Sequence, residues 1–424
     1  MNKIIEKSVL FLGVGGVSMH QLAIAYKHVG YNVYGYDRKR NSYTKLCENS
    51  GIKVTTRFNK KFLDVNFAIK TGAIKNDDKY IIALKNKGIP IKDRAEILGE
   101  LCSHFKCVIA VAGTHGKSTT ASLIYEILRL SNKKVSCHIG ADVFAPRFEL
   151  NDDYLVVEAC EYNKSFLSLK PDISVVTNIE AEHMDSYKSL FNLKNAFLTF
   201  LKRAKSRFVY LDESTKFLLR HKNINFVSSE FKFKTKLKGE YNQRNIELAY
   251  AVTKSLDLDE KKILKAISSF SGIPRRYEEI GRIKNTKIFI DYAHHPTEIK
   301  NFIETFKLDY TNCLIVFQPH TYSRTKNFLQ EFVEVFKNVD YLYIFKEYPA
   351  REKKNAGKSA YELYQEIKKE NSNVKYVATG KKLTKIIPEF DAVAFVGAGD
   401  VDEVAKKIIK SYCKNSWQNR FFNV

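Results

Sequence analysis

The feature that most constrains this chain is a strand, a glycine loop and a helix start in direct succession. It reads Val108-Ile109-Ala110-Val111-Ala112-Gly113-Thr114-His115-Gly116-Lys117-Ser118-Thr119-Thr120. The apolar run is a buried strand, and Lys-Ser-Thr-Thr opens a helix. Backbone amides of such a loop cradle phosphates, the lysine meets the outer phosphates, and the serine hydroxyl ligates Mg²⁺. Val111 occupies the first glycine position of the usual G-x-x-x-x-G-K-[ST] pattern. The rest of the pattern stands, so the run predicts ATP binding by Gly113, Thr114, His115, Gly116, Lys117, Ser118 and Thr119.

Around this motif, short apolar runs alternate with amphipathic helical patterns, which implies parallel sheets covered on both faces. Strands are expected at 8–12, 107–112, 154–158, 173–177, 207–211, 287–291, 313–317, 341–345 and 392–396. Helices are expected at 18–29, 117–130, 190–204, 243–256, 259–269, 297–306, 323–337, 359–370 and 401–412. The strand–glycine–helix arrangement restarts three times, so the fold class is α/β with three units: 1–104, 105–281 and 282–424. A length of 424 residues suits about three domains.

Composition narrows the partners. With 70 basic against 47 acidic residues the net charge is +23, a field that attracts polyanions. The lysines are scattered, however, and the densest stretch, Phe231 to Lys238, alternates with period two. It reads as a strand with lysines on its wet face; a nucleic-acid stripe is the other reading. No nucleic-acid partner is expected, and a nucleic-acid-binding ATPase is the remote alternative. Seven cysteines without a C-x-x-C pair fit reduced thiols in the cytoplasm. Lys3, Lys7 and the apolar run from Val9 to Gly16 imitate a secretion signal, but Glu6 interrupts its basic region. No uncharged run spans a bilayer, so no membrane partner is expected.

Four further motifs carry polar residues at strand ends. Gly13-Val14-Gly15-Gly16-Val17-Ser18 follows the first strand, and Asp37 follows the next, where an acid would meet a ribose hydroxyl. Ser18 stands where the third glycine of G-x-G-x-x-G belongs. A dinucleotide, another nucleotide-bearing ligand and a structural turn all remain open here. Glu158, then Asn178-Ile179-Glu180-Ala181-Glu182-His183, follow strands beside the phosphate loop, where a P-loop enzyme holds its metal. Surface pairing for Glu158 and a helix-start role for His183 are the plainer alternatives. Asp291-Tyr292-Ala293-His294-His295-Pro296-Thr297-Glu298 and Gln318-Pro319-His320-Thr321-Tyr322-Ser323-Arg324 each follow a strand, and each is a capped turn or part of a site.

In this order, Gly-Thr-His-Gly-Lys-Ser-Thr-Thr, Asn-Ile-Glu-Ala-Glu-His-Met-Asp, Gly239-Glu240-Tyr241-Asn242-Gln243-Arg244-Asn245, Pro274-Arg275-Arg276-Tyr277 and Asp-Tyr-Ala-His-His-Pro-Thr-Glu resemble the Mur ligases over essentially the whole chain. The glycine-rich N-terminus and Phe-Gln-Pro-His-x-Tyr-x-Arg look like the branch that joins L-alanine to UDP-N-acetylmuramate. The resemblance implies a Rossmann-like UDP-sugar domain, a central P-loop ATPase domain with a mainly parallel sheet, and a Rossmann-like C-terminal domain receiving the amino acid. It implies ATP-dependent amide formation through an acyl phosphate, in peptidoglycan precursor synthesis.

By the same resemblance Lys117, Glu158 and His183 are catalytic. Ser118, Glu158 and His183 hold Mg²⁺, with Mn²⁺ suited to the imidazole. Asn242, Asn245, Arg276 and Asp291 close around ATP. Gly15, Gly16, Asp37, Thr71 and Ala73 take the UDP-sugar. Tyr292, His320 and Arg324 meet L-alanine. A monomer or homodimer is expected. Ser18, His20 and Gln21 depart from the small residues usual near the UDP loop; Cys160, Tyr241 and Thr321 replace Asp, His and Arg. The nearest rival is a ligase of the same family that joins a preformed murein peptide to the sugar. An NAD-dependent oxidoreductase built on the N-terminal loop is more distant.

Overall fold

The computed structural model describes residues 7–141, 148–149, 152–229, 231–350 and 352–421, apart from the side chains of 185 and 414–421. Lys3 and Glu6 lie outside the described residues. The chain divides into two compact units, Met1–Ile273 and Pro274–Val424.

The first unit carries two sheets. One holds β1 (Ser8–Leu12), β2 (Asn32–Tyr36), β3 (Lys53–Thr55), β4 (Phe67–Lys70) and β5 (Ile91–Asp93) in the order β3-β2-β1-β4-β5. Its pairs are all parallel. The strand order reverses beside β1, so the loop after β1 opens at the switch point where ligands of such sheets bind.

The second sheet holds β6 (Cys107–Ala112), β7 (Val135–His138), β8 (Tyr154–Glu158), β9 (Ile173–Val176), β10 (Ser206–Tyr210) and β11 (Asn225–Val227). Their order is β11-β10-β9-β6-β8-β7, again parallel throughout. β6 lies between β9 and β8, and Val108 to Ala112 are all buried. Burial on both faces explains its unbroken apolar run. Register sets Val111 opposite Glu158 and Ala112 opposite Val176, so the phosphate loop, Glu158 and the segment after β9 emerge together.

The two sheets share one hydrophobic cluster, in which Val9, Phe11, Leu98 and Leu101 join Val157, Phe166, Phe197 and Phe200. Helix Arg94–Cys102 comes close enough that a Cβ on Gly99 would lie 2.3 Å from the Ser168 carbonyl oxygen. Glycine is what permits that approach.

The second unit holds β12 (Glu278–Ile283), β13 (Thr286–Asp291), β14 (Cys313–Phe317), β15 (Leu342–Phe345), β16 (Val374–Val377) and β17 (Ala392–Val396). The order is β12-β13-β17-β14-β15-β16. Only β12 among these runs antiparallel, as the hairpin partner of β13. β12 crosses the joint expected near 281, and the division between compact units falls before Pro274.

Two local expectations are corrected. Phe231 to Lys238 is no strand. Its period-two exposure persists, with Phe233 and Leu237 packed on the core and the lysines outside. The Gln243 side chain takes a neighbouring strand's place, accepting from Phe233 N–H at 3.1 Å and donating to its carbonyl at 3.2 Å. The helix expected over 323–337 is two, Tyr322–Asn327 and Leu329–Phe336. Phe328 breaks it at φ −114°, ψ 25°, with its ring edge-on to His295 at 4.7 Å.

Candidate active site

The phosphate loop needs its glycines. Gly113 sits at φ +142° and a Cβ there would lie 1.9 Å from Thr177 Oγ1; Gly116 sits at φ +82°, 2.3 Å from Asn245 Oδ1. The segment after β9 clamps the loop. Asn178 Oδ1 accepts from His115 N–H at 2.9 Å, and Thr114 Oγ1 accepts from Glu180 N–H at 2.8 Å. From helix Glu240–Lys254, Asn245 Oδ1 accepts from Thr120 Oγ1 at 3.2 Å, and Asn242 Oδ1 accepts from Asn245 Nδ2 at 3.3 Å. Asn245 therefore stands at the phosphate loop, with Asn242 bonded behind it.

Lys117 Nζ donates to the Gly113 carbonyl at 2.5 Å, the Thr114 carbonyl at 3.0 Å and Glu161 Oε1 at 3.1 Å. Burial works against its charge, but Glu161 first, then Glu158, outweigh it and raise the amine above its usual range. Lys117 is therefore a cation held ready inside the protein. Ser118 Oγ donates to Glu158 Oε2 at 2.8 Å.

His183, the third expected metal ligand, groups with two other acids. Its Nε2 lies 3.7 Å from Glu161 Oε1, and Glu161, Glu182 and His183 can aim one ligand atom each into a common space. His183 adopts φ +57° to do so, at the start of the short helix Met184–Tyr187. Glu161, absent from the sequence expectations, is 2% exposed, and its Oε2 is buried without a hydrogen-bond partner. A buried carboxylate oxygen left so is costly unless a cation completes it. Ser118 and Glu158 offer hard oxygen donors, which fits Mg²⁺. Two carboxylates with an imidazole fit a metal that tolerates nitrogen, such as Mn²⁺. Glu161 lies three residues past Glu158, a spacing that could have drawn attention to it.

At the first sheet, Asp37 Oδ2 accepts from Gly15 N–H at 2.8 Å and the Asn41 side chain donates to the Gly15 carbonyl at 2.9 Å. Asp37 thus braces the glycine loop with one of its carboxylate oxygens. A Cβ on Gly13 would lie 2.5 Å from Thr71 Cγ2, so the loop nests on the Thr71–Ile74 turn that carries Ala73. The departures are accounted for by contacts. His20 stacks on Tyr43 at 4.5 Å, Ser18 Oγ lies 2.8 Å from His138 Nε2, and Gln21 Nε2 donates to the Ile139 carbonyl at 3.0 Å.

In the second unit, polar residues gather at the C-terminal ends of β13, β14 and β17. Asp291 accepts from Tyr277 N–H and Ala293 N–H, both at 2.7 Å. Burial nonetheless pushes its carboxyl up to about 6, against the pull of Arg276 and those two amides. The Tyr292 ring lies under two guanidinium groups, Arg275 at 4.7 Å and Arg276 at 5.3 Å. Rings then follow in a row. Tyr292 to His294 is 5.3 Å, His294 to His320 is 5.9 Å, and His320 stacks on Tyr348 at 5.7 Å. Burial lowers the His320 imidazole below its usual range. Thr321 holds φ +66° and its hydroxyl oxygen accepts from Arg324 N–H at 3.4 Å, which fixes the helix turn bearing Arg324. Arg275 and His294 lie in motifs read from the sequence but were given no role there, and Tyr348 was not named.

Comparison with known proteins identifies the family. Residues 8–106 match the Mur ligase family catalytic domain, 111–227 the Mur ligase middle domain, and 275–399 the Mur ligase glutamate ligase domain. A UDP-N-acetylmuramate–L-alanine ligase of Caldicellulosiruptor bescii is 33% identical over 94% of this chain and 98% of its own length. The enzyme of that name from Acetivibrio thermocellus is 33% identical over 95% and 96%. In fold, the chain is similar to the crystal structure of UDP-N-acetylmuramate–alanine ligase from Thermotoga maritima. The TM-score is 0.82 at 22% identity, covering 96% of this chain and 99% of that one. A murein peptide ligase from Psychrobacter arcticus follows at TM-score 0.70 and 18% identity, covering 96% and 98%. With its three domains matched in order around a phosphate loop and its acids, the chain belongs to the Mur ligase family.

Proposed function

We propose that this chain joins L-alanine to UDP-N-acetylmuramate at the expense of ATP, releasing ADP and phosphate. The observation that carries the reading is the half-buried Lys117 cation beside the Ser118–Glu158 pair, in a chain a third identical to ligases of that name. Phosphoryl transfer asks the protein for positioning and charge neutralisation more than for covalent help. Lys117 and the loop amides supply both at the outer phosphates. Ser118 and Glu158 hold Mg²⁺, while Glu161, Glu182 and His183 hold a second cation. When bound, the metal neutralises charge on the phosphate oxygens.

The muramyl carboxylate oxygen attacks the γ-phosphorus, and the bond to ADP breaks. The alanine amine then attacks the acyl carbon and gives up a proton, and phosphate leaves with the electrons of the single bond that joined it to that carbon. Asn242, Asn245, Arg276 and Asp291 serve ATP. Gly15, Gly16, Asp37, Thr71 and Ala73 take the UDP-sugar, with Asp37 also bracing the loop. Tyr292, His320 and Arg324 receive alanine, with the guanidinium on its carboxylate.

The three domains follow the three sheets, with the second joint drawn before Pro274. No helix among the described residues is long and apolar enough to cross a membrane. The reaction is assigned to the cytoplasm, and the enzyme to a monomer or homodimer. The test is a nucleophile panel with ATP, Mg²⁺ and UDP-N-acetylmuramate. Free L-alanine as the preferred acceptor supports the reading. A preformed murein tripeptide preferred over L-alanine replaces it with the peptide-joining branch.

A further inference from the structure

At the end of β7, three successive residues bind three different partners. His138 Nε2 lies 2.8 Å from Ser18 Oγ, the Ile139 carbonyl accepts from Gln21 Nε2 at 3.0 Å, and Gly140 N–H donates to Glu158 Oε2 at 2.8 Å. Ser18 and Gln21 sit in the first turns of helix Val17–His28, which the glycine loop feeds directly. Glu158 Oε2 also accepts from Ser118 Oγ at 2.8 Å. The segment 138–140 therefore runs between the helix under one glycine loop and the carboxylate beside the other.

Arg94 Nη1 also donates to Ser18 Oγ at 3.0 Å, so the hydroxyl joins a guanidinium and an imidazole. Burial, with Arg94 and His20 nearby, holds the imidazole down to about 3, so it pairs with Ser18 in its neutral form. Gln21 is 8% exposed and His138 2%. Apolar contacts would allow the two elements to slide, whereas buried directional bonds fix their register.

We propose that Ser18, Gln21 and His138 are positioning residues, which hold the glycine loop of the first sheet in register with Glu158 of the second. They thereby set where the carboxylate of the UDP-sugar meets the transferring phosphate. This rests on the reading that the first loop takes the UDP-sugar. A misplacement of about 1 Å at reacting atoms can cost on the order of a hundredfold in rate.

The test uses the full chain with Ser18→Ala, Ser18→Thr, Gln21→Leu, His138→Phe and the Ser18→Ala/His138→Phe double variant. Ser18→Ala is expected to lower kcat about tenfold, with KM for ATP and L-alanine unchanged. Ser18→Thr, which keeps the hydroxyl, restores it. The double variant is no worse than Ser18→Ala alone, because Ser18→Ala already removes the bond to His138. Should His138→Phe fail to fold, Gln21→Leu carries the test with the same kcat loss at constant KM. Multiplying losses, a Ser18→Thr as poor as Ser18→Ala, all three KM values rising together, or an unchanged kcat would each overturn the proposal. A wild-type protein that does not ligate L-alanine to UDP-N-acetylmuramate rejects the underlying reading before any variant is compared.

Discussion

Glu161 sets one carboxylate oxygen 3.1 Å from Lys117 Nζ and leaves the other buried without a hydrogen-bond partner. The pair explains how a lysine can stay charged inside the protein, and it makes both residues testable. Lys117→Ala removes the charge that neutralises the transferring phosphoryl group, and turnover should fall at least roughly a hundredfold, or about 3 kcal/mol. Steady-state phosphate release measures it, with circular dichroism to confirm the fold. Near-normal turnover would mean that the loop does not serve the reaction.

Glu161→Gln keeps the shape of the side chain and removes its charge. Lys117 would then bear the cost of burial with less compensation. The expected result is a loss of turnover of about tenfold or more, with a higher Mg²⁺ requirement. A variant with wild-type Mg²⁺ dependence would reduce Glu161 to packing.

His183→Ala addresses the imidazole in the same group of ligands. Mn²⁺ should support the wild type at lower concentration than Mg²⁺, and the variant should lose that preference. Metal titrations of both proteins decide the point. Unchanged titrations would make His183 a structural residue of its left-handed turn.

Arg324→Lys tests amino-acid recognition. A planar guanidinium grips a carboxylate with two parallel hydrogen bonds that a lysine cannot reproduce. Each charged hydrogen bond is worth roughly 1.5–3 kcal/mol, so KM for L-alanine should rise on the order of ten- to a hundredfold while those for ATP and the UDP-sugar hold. If all three KM values moved together, Arg324 would be supporting the domain.

Asp291 gives a pH signature. Its carboxyl is raised from 3.8 to about 6, so between those values the native state keeps a proton that the unfolded chain has released. Stability from this group therefore falls as pH rises from about 4 to about 6, by up to about 3 kcal/mol. Thermal melts of Asp291→Asn and wild type across that window should diverge, the variant gaining relative stability toward pH 7. Parallel curves would show that the amides of Tyr277 and Ala293 fully offset the burial.

What was legible in the sequence follows from where geometry forces residue choice. Gly113 and Gly116 adopt positive φ with no room for a Cβ, so the phosphate loop is written in residue types no other structure would ask for. Glu158 was legible because a strand end fixes its place. Glu161 was not, because it follows the strand in a short turn whose direction only packing decides. Asp37 was found by spacing, which locates an acid without showing that it also accepts from Gly15 N–H. Phe231 to Lys238 kept its alternation yet paired with a glutamine side chain. Periodicity reports which face is wet, not what the backbone bonds to. The polar residues 18, 20 and 21 read as departures until the partners in 138–139 and Tyr43 were seen.

The most direct test of the central claim is phosphate release from ATP by the wild-type protein, with Mg²⁺, UDP-N-acetylmuramate and L-alanine supplied singly and together. The account predicts sustained release, matched by a UDP-N-acetylmuramoyl-L-alanine product of equal amount, only when both substrates accompany ATP. Release that ignores the UDP-sugar, or that responds to single-stranded nucleic acid in its place, would contradict it.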